Sequence, residues 1–177
     1  MACIIGIDPG VTGAIAVIRN SITDFAVHDL PITQLDSGKY IAALDLIGIL
    51  RNLRRGESAV AYLERVHAMP KNGSVAAFSQ GCTFGAIVAA IEVAGIPLVL
   101  VTPIGWKSAL GVRGAKGESD RARKERSLGK ARLLFPNAPL ERAKDHGRAE
   151  ALLIAYYGST RGGSRIVEKS LYTEEAA

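Results

Sequence analysis

The chain has 177 residues, 48% of them apolar, and a net charge of +5, which fits one domain whose core needs neither disulfides nor a structural metal to hold it together. Two cysteines, Cys3 and Cys82, make no disulfide framework and show no metal-ligand spacing, which excludes a cystine-stapled secreted module and points to a reduced, cytoplasmic protein. No basic-then-apolar leader pattern opens the chain, and its apolar runs are expected to be broken by Gly, Pro or charge before bilayer length, so no membrane span is expected.

In chain order, "CIIGID" and "TGAIAVIRN" read as strands split by a turn at Pro9-Gly10, and "TDFAVHDL" as a third, ended by Pro31. Three strands in quick succession predict an antiparallel meander. Lys39 to Arg55 has helical spacing, with Ile41, Leu44, Ile47 (or Leu46), Leu50 and Leu53 as its apolar stripe and Gly56 as its stop. "SAVAYLE" is a short apolar strand ending in Glu64, and "RVHAMPKNGS" is a loop. Ser74 to Ala94 is small and apolar, and its length argues for a helix. "IPLVLVTP" is a fifth strand whose unbroken apolarity predicts burial on both faces. A short turn-helix with Trp106 as a core anchor follows, then a Gly-rich loop, a charged helix from Asp120 to Phe135, and a helix from about His146 to Tyr157. The domain is expected over 1–158, with 159–177 as a mobile tail. This order predicts an α/β fold, a mixed five-stranded sheet with helices on both faces.

Charge placement is more informative than net charge. Between Trp106 and Phe135 lie nine basic residues against Glu118, Asp120 and Glu125, a local +6 that exceeds the excess of the whole chain. A run of this kind is ordinarily a solvated helix face; on a basic domain it favours a polyanionic partner.

Three acidic positions fall at the ends of elements: Asp8, Glu64, and the group Asp145, His146 and Glu150 opening the last helix. If the fourth strand lies parallel beside the first, Asp8 and Glu64 emerge at one sheet edge, where the last helix can add an acid. At about 100° per residue, His146 and Glu150 share a helix face, whereas Asp145 reaches the site only from just before the helix, where it also makes a good N-cap. Alone, Asp8 is as readily a turn former as a ligand, and Glu64 and Asp145 are more readily a surface acid and a cap. Together, clustered carboxylates stay ionised only beside a cation. Oxygen ligands favour Mg²⁺ or Mn²⁺, and two such ions can clamp the attacking and leaving oxygens of a phosphodiester. A histidine near the attacking water can orient it or take its proton. His28 lies in a strand with no partner motif and reads as structural.

Over roughly Ile4 to Tyr157 the pattern resembles the RuvC family of Holliday junction resolvases, of RNase H-like fold, and in its last motif the phage and prophage members. "IIGIDPGVTGAIAV", "YLERVHAMPKNG" and "HGRAEALLIAYYG" resemble the family's first, second and last motifs. The resemblance implies a homodimer that cuts opposed strands of four-way or branched DNA with Mg²⁺ or Mn²⁺, two ions per active site, in the host cytoplasm if the protein is phage-encoded. It makes Asp8, Glu64 and Glu150 metal ligands, although the family more often has Asp at the last position. The remaining acid usually sits about a turn earlier, where this chain has Gly147, so His146 is favoured as fourth ligand with Asp145 as the alternative. The resemblance also implies DNA contacts by His67, Met69 and Lys71 in the loop after the second acid, where the family often has an aromatic residue. Lys107, Arg113, Lys116, Arg121, Arg123 and Lys124 lie in the stretch resembling the DNA-contacting region, with Lys124 as catalytic support. Helix 74–94 is the expected dimer interface, or else the sheet's covering helix.

Other readings are a general RNase H-like nuclease acting on branched DNA or RNA–DNA hybrids, a catalytically dead DNA-binding domain, and an actin- or sugar-kinase-type ATPase. The last shares a strand–Asp–Gly/Thr hairpin but requires a second lobe and further phosphate motifs, which this sequence does not show. The retained acids argue against the dead domain.

Overall fold

The first strand, β1 (Cys3–Asp8), is buried from Cys3 to Ile7 and surfaces only at its last residue, Asp8. It pairs antiparallel with β2 (Ala14–Ile18), which pairs antiparallel with β3 (Phe25–Asp29), forming the expected meander. The computed structural model describes residues 3–66 and 73–161, so His67, Met69, Lys71 and the segment 162–177 lie outside the described residues.

A hairpin that the sequence did not signal comes next: β4 (Ile32–Leu35) and β5 (Gly38–Ile41) pair apart from the main sheet. Helix α1 (Ala43–Arg54) therefore starts later than the helical spacing from Lys39 implied. The apolar stripe shifts with it. Leu46, Leu50 and Leu53 are buried, while Leu44 is 84% exposed, because Ile41 belongs to the hairpin and no longer sets the helical phase. Arg55 ends the helix in the left-handed region at φ 48°, one residue before Gly56.

Strand β6 (Ala59–Glu64) lies parallel beside β1, and β7 (Leu98–Val101) lies parallel beside β6. The strand order is β3-β2-β1-β6-β7, the mixed five-stranded sheet expected from the sequence. As an edge strand, β7 is only partly covered, with Leu100 exposed and Val101 buried, so its apolar run does not mean burial on both faces.

Helix α2 (Ser74–Val93) and α1 cover one face of the sheet, where Ile5, Ile7, Ile15 and Val17 meet Leu46, Leu50, Ile87 and Ile91. The other face carries α3 (Pro103–Ala109), α4 (Asp120–Leu134) and α5 (His146–Thr160), whose core includes Trp106, Leu128, Phe135 and Leu152. By length and apolarity α2 reaches the dimensions of a membrane span, which corrects the expectation that no run does; Gly81 and Gly85 interrupt its pattern without breaking the helix. Only a minority of α2 is covered, through Thr83, Ile87, Ala90 and Ile91.

Helix α5 lies directly on β1, where small residues permit backbone contact. A Cβ at Gly6 would stand 2.3 Å from both Ala151 O and Ala155 N. The helix runs to Thr160, with Gly158 buried against Ile4 and Tyr62.

Candidate metal centre

The parallel register pairs Ile7 with Leu63, which carries the next residues, Asp8 and Glu64, to the same sheet edge. Beyond Asp8 the chain reverses through Pro9 and Gly10, and Gly10 takes φ 151°, a backbone region L side chains rarely enter. The Gly13 N–H donates to Gly10 O at 3.0 Å and closes the turn. The start of α5 packs against this turn so closely that a Cβ at Gly147 would stand 2.5 Å from Thr12 O and 3.4 Å from Asp8 Oδ2. That contact explains why the position three residues before Glu150 carries no side chain.

One turn further, α5 presents Glu150. Asp8, Glu64 and Glu150 each offer a carboxylate oxygen, and these atoms all lie within 4.8 Å of one another. Among the described residues, this is the group brought together from the sequence-predicted acids.

Electrostatics give the cluster its character. Burial pushes the Asp8 carboxyl well above the ordinary value of 3.8, and the charges of Glu150 and Glu64 push it further, against the opposing pull of Lys107 and Lys124. Glu64 is also raised by burial, which outweighs the Lys107 charge and a hydrogen bond from Trp106. Lys107 reaches into the group, its Nζ 2.9 Å from Glu150 Oε1 and 3.1 Å from Oε2. Ser127 Oγ donates to Glu150 Oε1 at 2.9 Å, and Trp106 Nε1 donates to Glu64 Oε2 at 2.6 Å.

The other predicted site residues fall elsewhere. The buried Asp145 carboxylate accepts from Arg142 Nη2 at 2.7 Å and from the Arg142 backbone N–H at 2.8 Å, and this pairing holds its pKa low. It closes the turn before α5 and is not in the three-carboxylate group. His146 is half-buried at the start of α5 and is likewise outside that group. Lys116, Arg121 and Lys124 are exposed on the loop and helix beside the site, as are Arg113 and Arg123, the latter paired with Asp120. His28 is exposed on β3.

The sequence reading missed the part of Ser127 in the site, and that of Trp106. Trp106 is fully buried, as a core anchor should be, yet its N–H is spent on a candidate ligand. The available signal was that a buried indole N–H needs an acceptor, and a strand-end Glu lay one strand away.

No protein-family model matches the chain. Over 96 residues, 53% of this chain, it is 36% identical to the chloroplastic Holliday junction resolvase MOC1 of Chlamydomonas reinhardtii, and it spans about a tenth of that protein's length. Among solved structures, Thermus thermophilus RuvC bound to a Holliday junction substrate superposes with a TM-score of 0.59, covering 90% of this chain and 93% of that one at 18% identity. The chain has the RuvC fold. A further T. thermophilus RuvC structure aligns over 90% of this chain and 96% of its own, with a TM-score of 0.51 and 18% identity. Within this RNase H-like RuvC fold, the sheet edge bearing Asp8 and Glu64 and the start of α5 form the acidic cluster described above.

Proposed function

We propose that the protein is a divalent-metal-dependent, structure-selective DNA endonuclease that resolves four-way junctions by hydrolysing phosphodiester bonds in two opposed strands. The observation that carries this reading is the convergence of Asp8, Glu64 and Glu150 from β1, β6 and α5 within a RuvC fold. The donor set is entirely carboxylate oxygen, which suits Mg²⁺ or Mn²⁺ better than a thiolate-seeking metal. The raised carboxyls of Asp8 and Glu64 mark negative charge that the protein's own cations only partly offset. Asp8, Glu64 and Glu150 would hold the divalent cation, which would supply charge neutralisation at the scissile phosphate and acidification of the attacking water.

The chain's own residues divide the remaining work. Lys107 holds Glu150 and lends positive charge to all three acids. Lys124, whose charge also acts on Asp8, is the residue this reading assigns to the phosphate. His146, half-buried at the start of α5, is given the orienting of water on this reading. The exposed cations of 113–124 carry the flanking backbone. A second copy docked on the exposed side of α2 supplies the second active site that paired incision requires.

The test is cleavage of a synthetic four-way junction in Mg²⁺ or Mn²⁺, against linear duplex and RNA–DNA hybrid of matched sequence. Selective, paired nicking of the junction is expected, and Asp8→Asn should lower the rate by at least about a hundredfold, as loss of charge stabilisation at a reacting centre does. Preferential cutting of the hybrid would replace the resolvase reading with an RNase H-like one. Full activity in Asp8→Asn would refute the metal centre.

A further inference from the structure

Two of the candidate ligands are gripped by neutral donors from helices outside the sheet. Glu64 comes from β6, but its Oε2 accepts from the indole of Trp106 on α3 at 2.6 Å. Glu150 comes from α5, but its Oε1 accepts from the hydroxyl of Ser127 on α4 at 2.9 Å. Both donors are buried to within about one per cent of their surface, so water does not compete for these bonds. Among the described residues, Glu64 Oε1 has no protein donor.

We propose that Trp106 and Ser127 are positioning residues that fix the rotamers of Glu64 and Glu150 as metal ligands, each binding one oxygen so that the carboxylate faces the shared centre. The inference rests on the metal-centre reading. Its physical basis is that a glutamate has three rotatable side-chain bonds, and a free carboxylate beside two others swings away from them to lower repulsion. A donor that is itself immobilised in the core removes that freedom. Trp106 is immobilised by full burial near the start of a helix capped by Thr102 Oγ1, and Ser127 by its burial, with Leu128 and Ala131, on the covered side of α4. Outer donors of this kind orient metal ligands, and their removal typically weakens metal binding by 10–100-fold.

The two donors also tie the cluster to the basic segment. Trp106 adjoins Lys107, whose Nζ lies 4.9 Å from the Trp106 ring centroid, and Ser127 lies on the helix that carries Arg121, Arg123 and Lys124. The helices that present cations to DNA thus also set the acids that bind metal. A shift of either helix on DNA binding would change ligand geometry directly.

Calorimetric titration of the full chain with Mn²⁺ and Mg²⁺ tests the proposal. Ser127→Ala loses the donor with little change of shape, Trp106→Phe loses the donor and also leaves a cavity in the core that Ser127→Ala does not, and each should weaken binding about tenfold or more. Ser127→Thr, which restores the hydroxyl, should recover most of the affinity, a rescue that a packing role would not give. Because Trp106 is the chain's one tryptophan, its indole N–H gives one resonance, measurable without any substitution. That resonance should exchange slowly with solvent and move on Mg²⁺ addition. Unchanged affinity in both donor-deleted variants, or an indole resonance that stays put while wild-type protein takes up Mg²⁺, overturns the proposal and leaves the metal centre standing. A wild-type protein that binds neither cation removes the metal centre, and the proposal with it.

Discussion

At residue scale, the carboxyls beside the candidate metal centre tie stability to pH. Asp8 and Glu64 are raised above their ordinary 3.8 and 4.5, mainly by burial. A carboxyl raised in the folded state binds more protons folded than unfolded, so stability falls as pH rises. Their contribution is complete below those ordinary values and is lost as pH climbs through the raised ones. Asp29 and Asp145, held low by hydrogen bonds from Arg148 and Arg142, work the other way, and their contribution is lost only as pH falls through their lowered values. Metal-free protein is therefore expected to lose thermal stability on going from about pH 5 to neutrality, and Mg²⁺ to restore more at neutral pH than at pH 5. Melting curves in EDTA and in Mg²⁺ at the two pH values check this; equal Mg²⁺ shifts at both would contradict it. Asp145 has a separate test. Bonded to Arg142 rather than facing the cluster, it should cost about 0.5–2 kcal/mol of stability as Asp145→Ala, the range for losing a helix-start cap, while Mn²⁺ affinity stays within about twofold. A large drop in affinity would return Asp145 to the ligand set.

At the scale of elements, the site is the meeting of β1, β6 and α5, and its geometry depends on how closely α5 sits on β1. Gly6 meets the α5 backbone at Ala151 and Ala155, and Gly147 meets the turn at Thr12. These contacts are backbone on backbone, so an added methyl has no flexible neighbour to displace. Gly6→Ala is expected to destabilise the fold by roughly 1–3 kcal/mol or more, the usual cost of overpacking, and to weaken Mn²⁺ binding by lifting Glu150 from the other acids. Thermal denaturation with calorimetry reads both; a neutral variant would mean that α5 is free to rise. The clamp of Arg148 on both oxygens of Asp29, at 2.6 and 2.7 Å, holds the start of α5 to the end of β3. Nothing in the local sequence announces this pair, because 119 residues separate its members.

For the whole molecule, two surfaces frame the acidic site. One is the basic segment, where Lys116 and Arg121 stand exposed. Neutralising both should weaken junction binding and lower the slope of log K against log salt by up to about 0.9 for each phosphate no longer neutralised. An unchanged slope would take this segment out of the DNA interface. The other is the uncovered side of α2, where Val75 is 82% and Phe78 is 70% exposed. Phe78→Lys should shift the sedimentation equilibrium toward monomer and turn paired incision into single nicks. A wild-type protein that is monomeric at working concentration would count against dimerisation through α2.

The order of elements, the strand-end positions of Asp8 and Glu64, and the acid opening the last helix were legible in the sequence, because hydrophobic periodicity and turn residues are local signals. The β4–β5 hairpin was not: its four-residue strands are too short for alternation to outweigh the helical spacing that runs on into α1. Whether Asp145 or His146 completes the cluster could not be decided from spacing either, because both sit close to one turn before Glu150. Tertiary structure alone placed Arg142 against Asp145 and brought Trp106 and Ser127 to Glu64 and Glu150. A carboxylate's role follows from the donors and charges that surround it, and for the two glutamates those arrive from helices distant in the chain.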